Sequence, residues 1–176
     1  MIWEGDEIVK TIYFMRHGLA VKKSSIIYND KDRPLTEDGI QRLIRETKGL
    51  IRLGLDIDLI LSSPLKRAME TAIIVASGLR MENKIEIFEE LSPDTSFSKF
   101  MKALEKYENK NKILLVGHEP HLSVTISMIL GLKNPCIILK KGAICRIDSQ
   151  TIPPDETAYI VWLMQPKALR LLGGKK

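Results

Sequence analysis

The sequence predicts an α/β fold, a three-layer α/β/α sandwich around a largely parallel central sheet. Two observations predict it. Short β-branched or apolar runs alternate along the chain with longer segments of helical period. Helix-start signals (Thr36, Ser63-Pro64, Pro120) follow strands or loops, and glycines stand where two of the helices should stop. The 176 residues, 44% hydrophobic and 28% charged, suffice for one core without staples. We therefore expect a single domain over 1–176, with residues 1–10 as an extension leading into the first strand.

In chain order, Ile8 to Met15 is a β-branched and aromatic run and reads as a strand. Val21 to Arg33 is irregular and polar. Thr36 should cap a helix that carries Glu37 and Asp38 in its first turn, Ile40, Leu43, Ile44, Thr47 and Ile51 on its buried face, and Gly54 at its end. Asp58 to Ser62 is a short strand. Ser63-Pro64 offers a capping hydroxyl followed by proline at the first helical position, and Leu65, Ala68, Ala72, Val75 and Leu79 form the stripe that follows. Ile85–Phe88 reads as a strand, Ser96–Tyr107 as a helix and Lys112–Val116 as a buried strand. Pro120 should open a helix running to Gly131. Ala143–Ile147 and Ala158–Met164 close the sheet.

Charge and composition exclude several classes. Lys+Arg 27 against Asp+Glu 22 gives +5, compatible with an anionic substrate but carried in pairs too short for a nucleic-acid arm. No apolar run approaches the ~20 residues of a membrane helix. The first residues have acids where a secretory leader would be basic. A cytoplasmic protein without membrane or nucleic-acid partners is expected. In that setting Cys136 and Cys145 read as reduced thiols.

The chemistry concentrates at three predicted strand ends. Arg16-His17-Gly18 follows the first strand, Arg67 sits on the first turn after the second, and Gly117-His118 follows the strand at 112–116. Open α/β sheets bind ligands outside the carboxyl ends of their strands. Two guanidiniums beside two imidazoles repel a metal cation but suit phosphate, because arginine presents a rigid fork of donors to its oxygens. Imidazole can serve as nucleophile or donor. Neither a metal nor a cofactor is expected. His121, three residues after His118, reads as structural and on the outer side of its helix, while Glu119 and Glu89 read as solvated.

Phe14-Met15-Arg16-His17-Gly18, Ser62-Ser63-Pro64 with Arg67-Ala68 and Thr71, and Val116-Gly117-His118 resemble, in order, the signature of the histidine phosphatase superfamily, which includes the cofactor-dependent phosphoglycerate mutases. Arg33-Pro34-Leu35-Thr36 with Gly39, Glu90-Leu91-Ser92-Pro93 and Trp162-Leu163-Met164-Gln165-Pro166 are similar to the short SixA-type phosphohistidine phosphatases, from about Ile12 onward. The resemblance implies a phosphoglycerate mutase-like fold and a metal-independent phosphohydrolase. In it His17 becomes transiently phosphorylated while Arg16, Arg67 and His118 hold the phosphoryl oxygens. Arg33 either lies near the phosphate or anchors its loop. Glu90 matches the place of the proton-donating carboxyl in related enzymes. The implied substrate is a phosphohistidine-bearing protein; the alternatives are a small phosphorylated metabolite, or a non-catalytic phosphate-binding module. A mutase is disfavoured, since the chain lacks the long insertions that enclose a sugar phosphate.

Overall fold

A computed structural model describes residues 9–23 and 29–174. Ile8, most of the expected 1–10 extension, part of the irregular Val21–Arg33 stretch and the Lys175-Lys176 pair lie outside the described residues.

Six strands form one sheet: β1 (Lys10–Arg16), β2 (Leu59–Ser62), β3 (Ile85–Ile87), β4 (Lys112–Gly117), β5 (Ile144–Ser149) and β6 (Tyr159–Met164), in the order β3-β2-β4-β1-β5-β6. The β2–β3, β2–β4 and β1–β4 pairs are parallel, and β5 runs antiparallel to both its neighbours. The sheet is therefore largely parallel, with β5 alone reversed. Among the described residues, five α-helices cover it: α1 (Glu37–Arg52), α2 (Lys66–Leu79), α3 (Phe97–Leu104), α4 (His121–Ile129) and α5 (Pro166–Leu172). Period-2 alternation divides the core. Tyr13, Met15, Leu114 and Val116 pack beneath α1, α2 and α5, whereas Ile12, Phe14, Ile113 and Leu115 pack beneath α3 and α4. This is the expected three-layer sandwich.

Three local expectations change. The hydroxyl of Thr36 accepts from Gly39 N and caps α1 as foreseen, yet the buried face of that helix is turned. Ile44 and Ile51 are exposed, while Glu46, Gly49 and Leu50 are buried. The cause is α5, a helix absent from the sequence reading. It packs so closely that a Cβ on Gly49 would collide with the carbonyl of Leu169. Second, α2 begins at Lys66 rather than at Pro64, and its N-cap Leu65 offers no side-chain cap. Third, His121 is buried rather than outward, its ring set edge-on to Phe100 at 5.8 Å between centroids. The helix turns this first residue under α3 instead of toward water. Both cysteines are free, Cys136 exposed and Cys145 buried, and burial pushes the Cys145 thiol up to about 12.

Candidate active site

Register explains why distant residues meet. In the ladder Arg16 stands opposite Gly117, and Ser62 opposite Val116, so adjacent strands β2, β4 and β1 end level with one another. The pairing continues one residue further, with His17 N donating to Gly117 O and Ser63 N to Val116 O, both at 3.0 Å. His17, Ser63 and His118 thus leave three neighbouring strand ends together. The His17 and His118 rings lie 5.0 Å apart between centroids.

The hydrogen bonds of His17 define its tautomer. Its Nδ1 lies 2.7 Å from the carbonyl oxygen of Gly18, which can only accept. The ring proton is therefore on Nδ1, and Nε2 carries a lone pair. Arg67 Nε–H donates to that Nε2 at 3.3 Å. Burial first, then the neighbouring His118 ring and the cationic Arg67 and Arg16, pull the His17 pKa down to about 2, so the ring is neutral near pH 7. Gly18 is needed for space: a Cβ there would strike Leu43 Cδ1. Its N–H donates to Thr71 Oγ1 at 3.0 Å, and Thr71 donates in turn to Arg67 O at 2.7 Å. The histidine-glycine turn is tied to the helix that carries Arg67.

His118 is 2% exposed, and its Nε2 lies 2.8 Å from Ser63 Oγ. Ser63 Oγ also accepts from Leu65 N at 3.4 Å. The hydroxyl can donate to that Nε2 or accept from it, so the contact fits either tautomer of the neutral ring. The other ring nitrogen, Nδ1, is buried with no hydrogen-bond partner among the described residues. Burial, with Arg67 next, lowers the His118 pKa to about 3. Ser63, expected as a helix cap, supports a site histidine instead.

The two core arginines are held differently. Arg16 Nη1 donates to Leu139 O at 2.8 Å, and its Nε is buried without a partner among the described residues. Arg67 Nη1 donates to Asp30 O at 2.7 Å and Nη2 to Asp30 Oδ2 at 3.1 Å. Arg33 reaches the same carboxylate through Nε at 2.8 Å and donates Nη1 to Val21 O at 2.7 Å. It therefore anchors its loop, and meets Arg67 through Asp30. Burial tends to raise the Asp30 pKa, but Arg67 and Arg33 outweigh it and hold the group below the usual range. Asp30 was not anticipated; its three-residue spacing from Arg33 was the available signal.

Glu90 lies on a 3-10 turn just after β3, half-buried and 3.7 Å from Lys99 Nζ. Glu89 is exposed as expected. Glu119 is not solvated: it is half-buried, with Oε2 accepting from Ser123, one helical turn on, and Oε1 without a partner among the described residues. Burial raises its pKa against the pull of Arg16. Among the described residues no group of three or more His, Cys, Asp or Glu side chains is disposed to hold a metal ion.

Two neutral imidazoles, one with its lone pair turned to Arg67, stand beside two guanidiniums at the carboxyl edge of a parallel sheet. Such a set suits a phosphoryl group. Comparison with known proteins agrees: residues 12–92 match the family model described as histidine phosphatase superfamily (branch 1). The chain is 35% identical over 150 residues to an uncharacterized protein of Picosynechococcus sp., covering 80% of this chain and 90% of that one. It is 25% identical over 163 residues to the phosphohistidine phosphatase SixA of Escherichia coli, covering 91% and 96% respectively. The solved structure of the protein histidine phosphatase SixA complexed with tungstate superposes with a TM-score of 0.78 at 24% identity, covering 90% of this chain and 99% of that one. The chain belongs to the histidine phosphatase superfamily, and it is a phosphatase. No helix among the described residues is long and apolar enough to cross a membrane.

Proposed function

We propose that this protein is a metal-independent phosphohydrolase that acts through a phosphohistidine on His17, with phosphohistidine on a protein as its substrate. One observation carries the reading: the Nε2 lone pair of His17 is unprotonated and faces the guanidinium of Arg67. Nε2 attacks phosphorus in line with the leaving group, and the bond from phosphorus to the leaving nitrogen breaks. Arg16, Arg67 and His118 hold the phosphoryl oxygens. The Arg67 Nε–H that meets this lone pair passes to a phosphoryl oxygen as the substrate enters. Fixed donors of this kind stabilise the charge spread over those oxygens without reorganisation. The Nδ1–H bond to Gly18 O stabilises the cationic character that His17 gains. Water then attacks the phosphorus of phospho-His17, releasing inorganic phosphate and restoring the lone pair.

The substrate reading is supported by the name of the SixA relative and by the leaving group. Imidazole departs more readily than an alkoxide and can be protonated near neutral pH, so a phosphohistidine makes little demand on a general acid. Glu90, engaged with Lys99, would then serve only substrates with poor leaving groups. The test is turnover of a phosphohistidine-bearing protein beside a panel of alkyl phosphoesters. We expect kcat/KM to favour phosphohistidine by at least ~10²-fold. Preference for one small phosphoester would replace this reading with a metabolite phosphatase.

A further inference from the structure

A second cationic cavity adjoins the phosphoryl site. It measures about 490 Å³ and is bordered by Arg16, Arg42, Lys140, Lys141, Lys167 and Arg170, within the range of small-ligand sites. Arg16 belongs to both regions, and its buried Nε has no partner among the described residues. The rim is built rather than incidental. Gln165 Nε2 donates to Ile138 O at 2.6 Å and Lys140 N donates to Gln165 Oε1 at 3.3 Å, while Arg16 itself holds Leu139 O. The chain then turns at Gly142, with a φ of 83°, and Gly142 N–H is shared between the carbonyls of Arg16 and His17 at 3.1 and 3.2 Å. The side chains after β1 and the lysine-bearing turn are thus fixed to one another.

The charge in this cavity is poorly balanced. Arg42 pairs with Asp38, and Arg170 with the buried Glu46. Among the described residues no carboxylate lies within ion-pair distance of Lys140, Lys141 or Lys167. Glu46, the acid in the lining, is already engaged by Arg170 and lies outside ion-pair distance of the three lysines. Burial, and then the like charges of Arg16, Arg33 and Lys22, push Lys141 below the usual lysine range. A cluster of cations that repel one another beside an anion site is completed by a second anion.

We infer that this cavity is an accessory subsite for acidic side chains of the phosphorylated partner protein, which dock beside Arg16 while the phosphohistidine enters the site of His17. The inference rests on the phosphoprotein reading above. Like-signed walls of this kind concentrate an acidic partner and accelerate its encounter, an effect that added salt screens. Alkyl stems of the lysines leave the ammonium groups free to follow a protein surface.

The test uses two synthetic phosphohistidine peptides of equal length, one flanked by Asp and Glu, the other by Asn and Gln. In wild-type protein at low salt, kcat/KM should favour the acidic peptide by about tenfold or more, mainly through KM. The preference should shrink with added salt, and should vanish in Lys140→Ala/Lys141→Ala/Lys167→Ala. Equal kcat/KM for the two peptides, or a preference that survives in the triple variant, would overturn the subsite. If neither peptide is hydrolysed while p-nitrophenyl phosphate is, the phosphohistidine reading fails instead. The subsite is then decided by the unphosphorylated peptides as inhibitors of p-nitrophenyl phosphate turnover. Competitive inhibition by the acidic one alone upholds it, and inhibition by neither, or by both alike, rejects it.

Discussion

Arg67 donates its Nε–H to the unprotonated Nε2 of His17 at 3.3 Å, while its two terminal nitrogens are tied to Asp30. One side chain thereby links the proposed nucleophile to a loop more than thirty residues away in sequence. Arg67→Ala should fold normally by circular dichroism and lose ~10²-fold or more in turnover, the scale of losing one preorganised charge-stabilising donor. Arg67→Lys should recover only part of that loss, because an ammonium cannot reproduce the planar fork. Full activity in Arg67→Ala would show that the phosphoryl group sits elsewhere.

Asp30 gives the same linkage a second handle. Its carboxylate accepts from both Arg67 and Arg33. Asp30→Ala should leave Arg67 charged but poorly aimed, lowering kcat by about tenfold or more through misorientation. Arg33→Ala should do less, since Arg33 touches Arg67 only through Asp30. Steady-state kinetics on both variants would check the order. A larger loss from Arg33→Ala would mean that Arg33 contacts the phosphate directly.

The two buried imidazoles make a prediction about acid. Their pKa values fall from 6.5 to about 2 for His17 and about 3 for His118, chiefly through burial. Below pH 6.5 the unfolded chain therefore binds protons that the folded chain refuses, and stability falls as pH drops from 6.5 toward 3. Thermal melts should show Tm declining through that window. His118→Gln, which removes one such group, should show a shallower decline than wild type. Parallel curves would contradict the assigned burial of a neutral His118 ring.

Much of this was legible beforehand for a physical reason. Strand ends and the residues just after them are local features, so Arg16-His17, Arg67 and Gly117-His118 could be assigned to one edge of a parallel sheet from spacing alone. What escaped depends on contacts distant in sequence. Asp30 matters because a loop folds back onto α2. Ser63 has two available partners, a helix start and a histidine 55 residues later, and only the β2–β4 register decides between them. The face of α1 turned because α5, short and near the end of the chain, claims Gly49 and Glu46. His121 and Glu119 depart from expectation for contacts a four-residue motif does not show: the His121 ring meets Phe100, and Glu119 accepts from Ser123 one helical turn on.

Glu90 separates leaving groups. Glu90→Gln should slow hydrolysis of alkyl phosphoesters far more than hydrolysis of phosphohistidine or of an activated aryl phosphate, because only the alkoxide needs a positioned acid. Small, equal losses on every substrate would leave Glu90 as the partner of Lys99 and nothing more. Large, equal losses would make it an organiser of the site and would refute the leaving-group argument.

The central claim is covalent, and rapid-quench trapping tests it most directly. Protein mixed with a 32P-labelled substrate and quenched in alkali within a turnover should carry label on one peptide containing His17, stable in alkali and released by acid. His17→Ala should carry none and should have lost its turnover. Near-normal turnover in His17→Ala, or label confined to another residue in the wild-type protein, would contradict the mechanism.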